Sequence, residues 1–164
     1  VQSYGSAALD AANLRLPLVG FIPATDERMQ GTIDATIKEL AGPHGLLYRY
    51  RTASGPASQD SKPRQDTTDD GLRGSEGAFL VCTYWLINDL CRAGRIDDAR
   101  QRFEELLRFA SPLGLFSEEI DFQTGALLGN YPQALTHIGL INTAVMLDRA
   151  EKGSVAQGAE SEML

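Results

Sequence analysis

The sequence predicts an all-α protein. Apolar residues recur at helical spacing through most of the chain. Gly and Pro stand where they would end or begin those periodic runs. No run alternates apolar and polar residues convincingly, as a half-buried strand would; residues 46–51 are the one candidate for a short extended segment.

Taken in order, Ala7, Ala8, Ala11, Leu14 and Leu18 suit a first helix ending near residues 17–20. The chain thus opens inside an expected helix, with neither the basic n-region nor the continuous apolar stretch of a signal peptide. This is the pattern expected of a piece of a longer chain. A second helix is expected over residues 25–40, with Thr25 or Asp26 as cap, Met29, Ile33, Ile37 and Leu40 as its stripe, and Gly42-Pro43 as its stop. Residues 52–71 are almost entirely polar, Gly or Pro and are expected to form a mobile surface loop.

A third helix is expected over residues 76–93. It is apolar around most of its circumference (Phe79, Leu80, Val81, Tyr84, Trp85, Leu86, Leu90) and so buried on nearly all sides. Gly94 ends it, and Asp97 or Asp98 begins a fourth with the stripe Ala99, Phe103, Leu106, Leu107 and Ala110. So short a turn makes the pair an antiparallel hairpin. A non-helical stretch over residues 111–131 carries Gly114, Gly125 and Gly129. The last helix is expected from Pro132 to about residue 151, with Pro132 in its first turn. The expected organisation is one helical unit over residues 1–153 and a frayed tail over 154–164.

Bulk properties narrow the function. A length of 164 residues suits one core, and 15 basic against 22 acidic residues give a net charge of −7. Without a cluster of Lys or Arg, the chain lacks the footprint of a nucleic-acid partner. No stretch approaches the roughly 18 apolar residues of a membrane span. Cys82 and Cys91 lie nine positions apart in one expected helix, well beyond the roughly 7 Å Cα limit for a disulfide. They read as small core residues, and unpaired thiols point to the cytoplasm.

Chemistry is concentrated in one stretch. Glu118, Glu119 and Asp121 fall within four residues on an expected loop between helices, where a rigid scaffold commonly presents functional groups. A carboxylate pair is what glycoside hydrolysis requires, while acids on a loop also serve simply as solvated groups. Without His or spaced oxygen ligands, Glu118 and Asp121 make no recognised calcium loop, so neither metal nor cofactor is expected. Mid-helix, Tyr84 and Trp85 suit the core rather than sugar stacking, and His137 suits a satisfied core histidine.

Five segments together carry a family resemblance. Residues 125–142 contain Gly129-Asn130-Tyr131-Pro132-Gln133-Ala134, then His137 and Leu140-Ile141-Asn142. They resemble the G-N-F/Y-P-Q-A-x-x-H-x-x-L-I-N signature of bacterial glucoamylase-like glycoside hydrolases of family 15, the relatives of glucoamylase, trehalase and glucodextranase. Residues 114–121 resemble the preceding G-L-L-S/A-E-E-x-D segment, and residues 76–95 the E-G-A-F-L-x-C-x-x-W-L run. Residues 18–23 and 45–50 resemble earlier segments in the right order, so the likeness covers roughly residues 5–150.

The resemblance implies that the helical hairpins are part of an (α/α)6 barrel and that the parent enzyme hydrolyses α-glucosides with inversion. Malto-oligosaccharides, isomalto-oligosaccharides and trehalose are the substrates in question. It puts the general base on Glu118, with Glu119 as the fallback. At the next position the family often has an aromatic where this chain has Ile120. The resemblance also makes Arg49 a substrate-binding residue, against the plainer reading of a surface arginine. Glu76 is a candidate for sugar hydroxyls, or else a first-turn acid that complements the helix dipole. The family's general acid lies in an upstream W-E segment, whereas the only tryptophan here, Trp85, is followed by Leu86. With five helices instead of twelve, the chain alone is expected to be inactive and to bury its apolar faces against the rest of the parent chain or a second copy. The alternative is a non-catalytic helical module for assembly or carbohydrate binding.

Overall fold

The computed structural model describes residues 8–50 and 77–153. The first expected helix is reduced to one 3-10 turn, Ala11–Arg15. Asp10 is extended, and its side chain accepts from the Ala12 N–H, so the turn starts only at Ala11. The Ala11 N–H is itself taken by the Arg49 carbonyl at 2.8 Å. Six residues on, Pro17 has no N–H with which to continue. Helix α1, Glu27–Leu40, begins as its cap dictates: Asp26 accepts from the Arg28 N–H. Met29, Ile33 and Leu40 are buried along one face, with Ile37 partly buried against the same core.

After α1 the chain turns through Pro43–Gly45 and makes a single antiparallel bridge between Ala41 and Leu47. The chain is mostly helical, as expected, and to the expectation of no convincing strand it adds three short ones. Three two-residue strands, β1 (Ala78–Phe79), β2 (Glu119–Ile120) and β3 (Leu127–Leu128), form an antiparallel sheet in that order. Ala78 faces Ile120, and Glu119 faces both Phe79 and Leu128. The third expected helix therefore starts later. The Phe79 N–H donates to the Leu47 carbonyl and the Leu80 N–H to the Glu118 carbonyl, which holds residues 78–79 extended. Helix α2 is Leu80–Arg92.

Helix α2 is the centre of the molecule. Leu80, Leu86, Ile87 and Leu90 have no exposed surface, each burial contributing about 1.5–3 kcal/mol. Trp85 is only half-buried, with the Arg15 guanidinium 5.5 Å above its ring. Gly94 turns the chain into α3, Ile96–Leu107, which packs back against α2 as the expected hairpin. Arg95 bridges Asp34 of α1 and Asp98 of α3, while Arg100 pairs with Glu151 at the end of the last helix.

Helix α4, Ala134–Glu151, begins two residues after the expected Pro132. The Gln133 N–H donates to the Phe116 carbonyl and its side chain accepts from the Leu135 N–H, so Gln133 is an extended cap. One face of α4 meets α2 closely. A Cβ on Gly139 would lie 3.0 Å from the Tyr84 ring, so a larger residue there would need Tyr84 to give way by a few tenths of an ångström. The other face exposes Leu135, Ile138, Ile141 and Val145. Helix α2, by contrast, is covered by this chain itself, as its apolar circumference predicts.

Burial extends to polar groups of α2. Tyr84 Oη, Asn88 Oδ1, Asp89 Oδ2 and Arg92 Nε have no hydrogen-bond partner among the described residues. Asp89 is 1% exposed, and burial pushes its carboxyl up to about 8, with the charge of Arg92 opposing. Cys82 and Cys91 are both buried and neither is in a disulfide. Residues 52–71, the tail 154–164, Ala7 and Glu76 lie outside the described residues.

Candidate active site

The carboxylate stretch is built outward from α4. The Phe116 N–H donates to His137 Nε2 at 3.3 Å, and the Phe116 carbonyl takes the Gln133 N–H. His137 Nδ1 lies 2.7 Å from the Gln133 carbonyl. An Nε2 that accepts and an Nδ1 that donates define the neutral imidazole with its proton on Nδ1. His137 is thus a satisfied residue that fixes the chain two positions before Glu118. The next residue, Ser117, is buried, and its hydroxyl donates to the Glu119 carbonyl at 2.6 Å.

Glu118 is half-buried just ahead of β2. Its N–H donates to the Asn130 carbonyl at 2.9 Å, and its carbonyl accepts from Leu80 at the start of α2. The side chain turns towards the far arm of the β2–β3 hairpin. Oε2 accepts from the Asn130 N–H at 3.1 Å and from Asn130 Nδ2 at 2.8 Å. Among the described residues, no hydrogen bond is made by Oε1. Gly129 provides the clearance: its φ is +70°, and a Cβ there would lie 2.9 Å from both the Cβ and Oε2 of Glu118.

The neighbouring acids are committed differently. Successive residues of an extended segment point to opposite sides, and Glu119 Oε2 accepts from the Gly77 N–H at 3.0 Å, helping to hold the start of β1. Asp121 caps the hairpin turn. Its Oδ1 accepts from the Thr124 N–H, the Thr124 hydroxyl and the Gln123 N–H, which hold its carboxyl below the usual range. Beside this turn lies a cleft of about 180 Å³ lined by residues including His44, Phe109 and Phe122, but not Glu118. Arg49 is exposed, with its guanidinium 5.6 Å from the Tyr50 ring. No hydrogen bond or ion pair joins it to Glu118 among the described residues. Nor do three or more His, Cys, Asp or Glu side chains converge there as a metal site.

Among the described residues Glu118 thus keeps an oxygen uncommitted on a stretch fastened to two helices, whereas Asp121, whose Oδ2 also makes no hydrogen bond, spends Oδ1 on three donors of its own turn. Comparison with known proteins identifies the scaffold: the family model of glycosyl hydrolases family 15 matches residues 1–145. The chain belongs to glycosyl hydrolase family 15. Among its family 15 relatives, a protein named trehalase from Thermoplasma volcanium is 47% identical over 150 residues, 92% of this chain and 22% of its own length. A trehalase from Mycolicibacterium smegmatis is 44% identical over 157 residues, 96% of this chain and 21% of its own. Trehalase 2 of Sulfolobus acidocaldarius is 30% identical over 148 residues, 90% of this chain and 23% of its own. The chain therefore spans about a fifth of the length of these family 15 relatives. No solved structure matches it. Among the described residues no helix is long and apolar enough to cross a membrane.

Sequence reasoning singled out Glu118 but missed Asn130 and Gly129 as its surroundings. Both stand in the signature stretch, yet nothing in their spacing says that the hairpin folds them onto a carboxylate twelve residues earlier.

Proposed function

We propose that this chain is the base-bearing part of an inverting α-glucoside hydrolase, that Glu118 is the general base, and that trehalose is the substrate. The observation that carries the assignment is the setting of the Glu118 carboxylate: on a segment tied to α2 and α4, Oε2 is occupied by two donors and Oε1 is uncommitted among the described residues. The names of the relatives support trehalose over malto- and isomalto-oligosaccharides. In this reading, Oε1 takes a proton from a water. That water's oxygen bonds to the anomeric carbon from the face opposite the leaving sugar. The glycosidic C–O bond breaks, and the leaving oxygen is protonated by an acid roughly 6.5–9.5 Å from the base. One glucose of inverted configuration and a second glucose result.

The acid belongs to the part of the enzyme beyond these residues. In this chain the only tryptophan, Trp85, is followed by Leu86 rather than glutamate, so the chain alone does not turn over. The same missing part, or a second copy, covers the exposed face of α4 and completes an (α/α)6 barrel. Arg49 and Glu76 bind sugar hydroxyls in the assembled site, and two buried cysteines outside any disulfide support a cytoplasmic setting.

The test is Glu118→Gln in the whole enzyme with trehalose as substrate. It deletes the proton acceptor at nearly constant volume, so kcat should fall by about 10²- to 10⁴-fold while the melting temperature holds. Full retention of glucose release would overturn the assignment and turn attention to Glu119.

A further inference from the structure

We propose that Asn130 is the positioning residue of the base, assigning Oε2 of Glu118 to itself and leaving Oε1 as the oxygen that receives the proton. This inference rests on Glu118 being the base. Three contacts join the two residues: Glu118 N–H to the Asn130 carbonyl at 2.9 Å, Asn130 N–H to Oε2 at 3.1 Å, and Asn130 Nδ2 to Oε2 at 2.8 Å. The first fixes the backbone register. The other two converge on one oxygen, so the carboxylate is held against rotation about its last torsion. A carboxylate without such donors exchanges its two oxygens freely, because that torsion is broad and nearly two-fold.

An inverting base must hold its water on a line to the anomeric carbon, and a misplacement of about 1 Å costs about 10²-fold in rate. A donor pair on one oxygen removes that freedom before substrate arrives. Gly129 serves the same end by leaving room: any Cβ at that position would meet Oε2 and the Glu118 Cβ at 2.9 Å and push the carboxylate off Asn130. The Asn130 side chain is exposed, so it fills no core. Among the described residues its one side-chain hydrogen bond runs to Glu118.

The experiment compares Asn130→Ala, Asn130→Asp and Glu118→Gln in the whole enzyme, by steady-state trehalose hydrolysis and thermal melting. Asn130→Asp has the shape of the natural residue but sets an acceptor in place of the Nδ2 donors. Both Asn130 variants should lose about 10- to 10²-fold in kcat with KM within about twofold and an unchanged melting temperature; the Asp variant should lose at least as much as the Ala variant. Wild-type kcat in Asn130→Asp, or losses confined to KM or to melting, would overturn the positioning role while an inactive Glu118→Gln left the base assignment standing. An active Glu118→Gln would overturn both.

Discussion

Replacing Asp89 by Asn should stabilise the protein at neutral pH and leave its stability near pH 4 almost unchanged. In the unfolded chain this carboxyl ionises around 3.8, whereas in the fold burial raises it to about 8. Between those values the folded state keeps a proton that the unfolded state gives up. The contribution is therefore fully present below about pH 4 and is lost progressively as pH rises towards 8. Each unit in that window is worth about 1.4 kcal/mol, so the wild type carries a penalty of up to about 4 kcal/mol at about pH 7 that the amide does not. The side chain is 1% exposed, so water does little to screen it. Thermal or urea melts of wild type and Asp89→Asn at several values between about pH 4 and 8 measure the difference directly. The two curves should meet at the acidic end and separate steadily above it. Parallel curves, or an Asn variant that is weaker at pH 7, would refute the reasoning and imply that Asp89 is ionised in the fold and stabilised through Arg92.

His137→Ala should cost about 1–3 kcal/mol, because it leaves the N–H of buried Phe116 without an acceptor; chemical denaturation of the whole protein checks this, and an unmoved midpoint would show that another acceptor serves. The 164-residue chain by itself should self-associate at micromolar concentration through the α4 stripe, where Ile138 is 55% and Ile141 61% exposed. Sedimentation should show Ile138→Glu with Ile141→Glu shifting it to monomer; a wild-type monomer would count against the stripe as a contact face.

Helices were legible in the sequence wherever a local signal and a tertiary one agreed. Asp26 caps α1 where the sequence predicted a cap, and the apolar circumference of α2 matches its burial. Reading failed where long-range hydrogen bonds override local preference. Residues 78–79 sit in a helical pattern, but the Leu47 and Glu118 carbonyls hold them extended. Gln133 is not a favoured cap, yet its bond to Phe116 makes it one. Two-residue strands are too short for any alternation to register. The site divides in the same way. Three acids in four residues are visible in the sequence, but how each carboxylate is held depends on Gly77, Thr124 and Asn130, partners that only the folded chain supplies.

The bonds around residue 118 also bear on how the protein breathes. Although this stretch lies between helices, the N–H of Leu80 is bound to its carbonyl, its own N–H to Asn130, and the N–H of Phe116 to a ring on α4. Together these bonds tie the segment to both α2 and α4, and those two helices pack together as the heart of the molecule. Hydrogen exchange at these amides should therefore follow global unfolding rather than local opening. The usual gradient, in which the reactive segment is the loosest part of a protein, would then be inverted, and activity would disappear on heating together with the core rather than ahead of it.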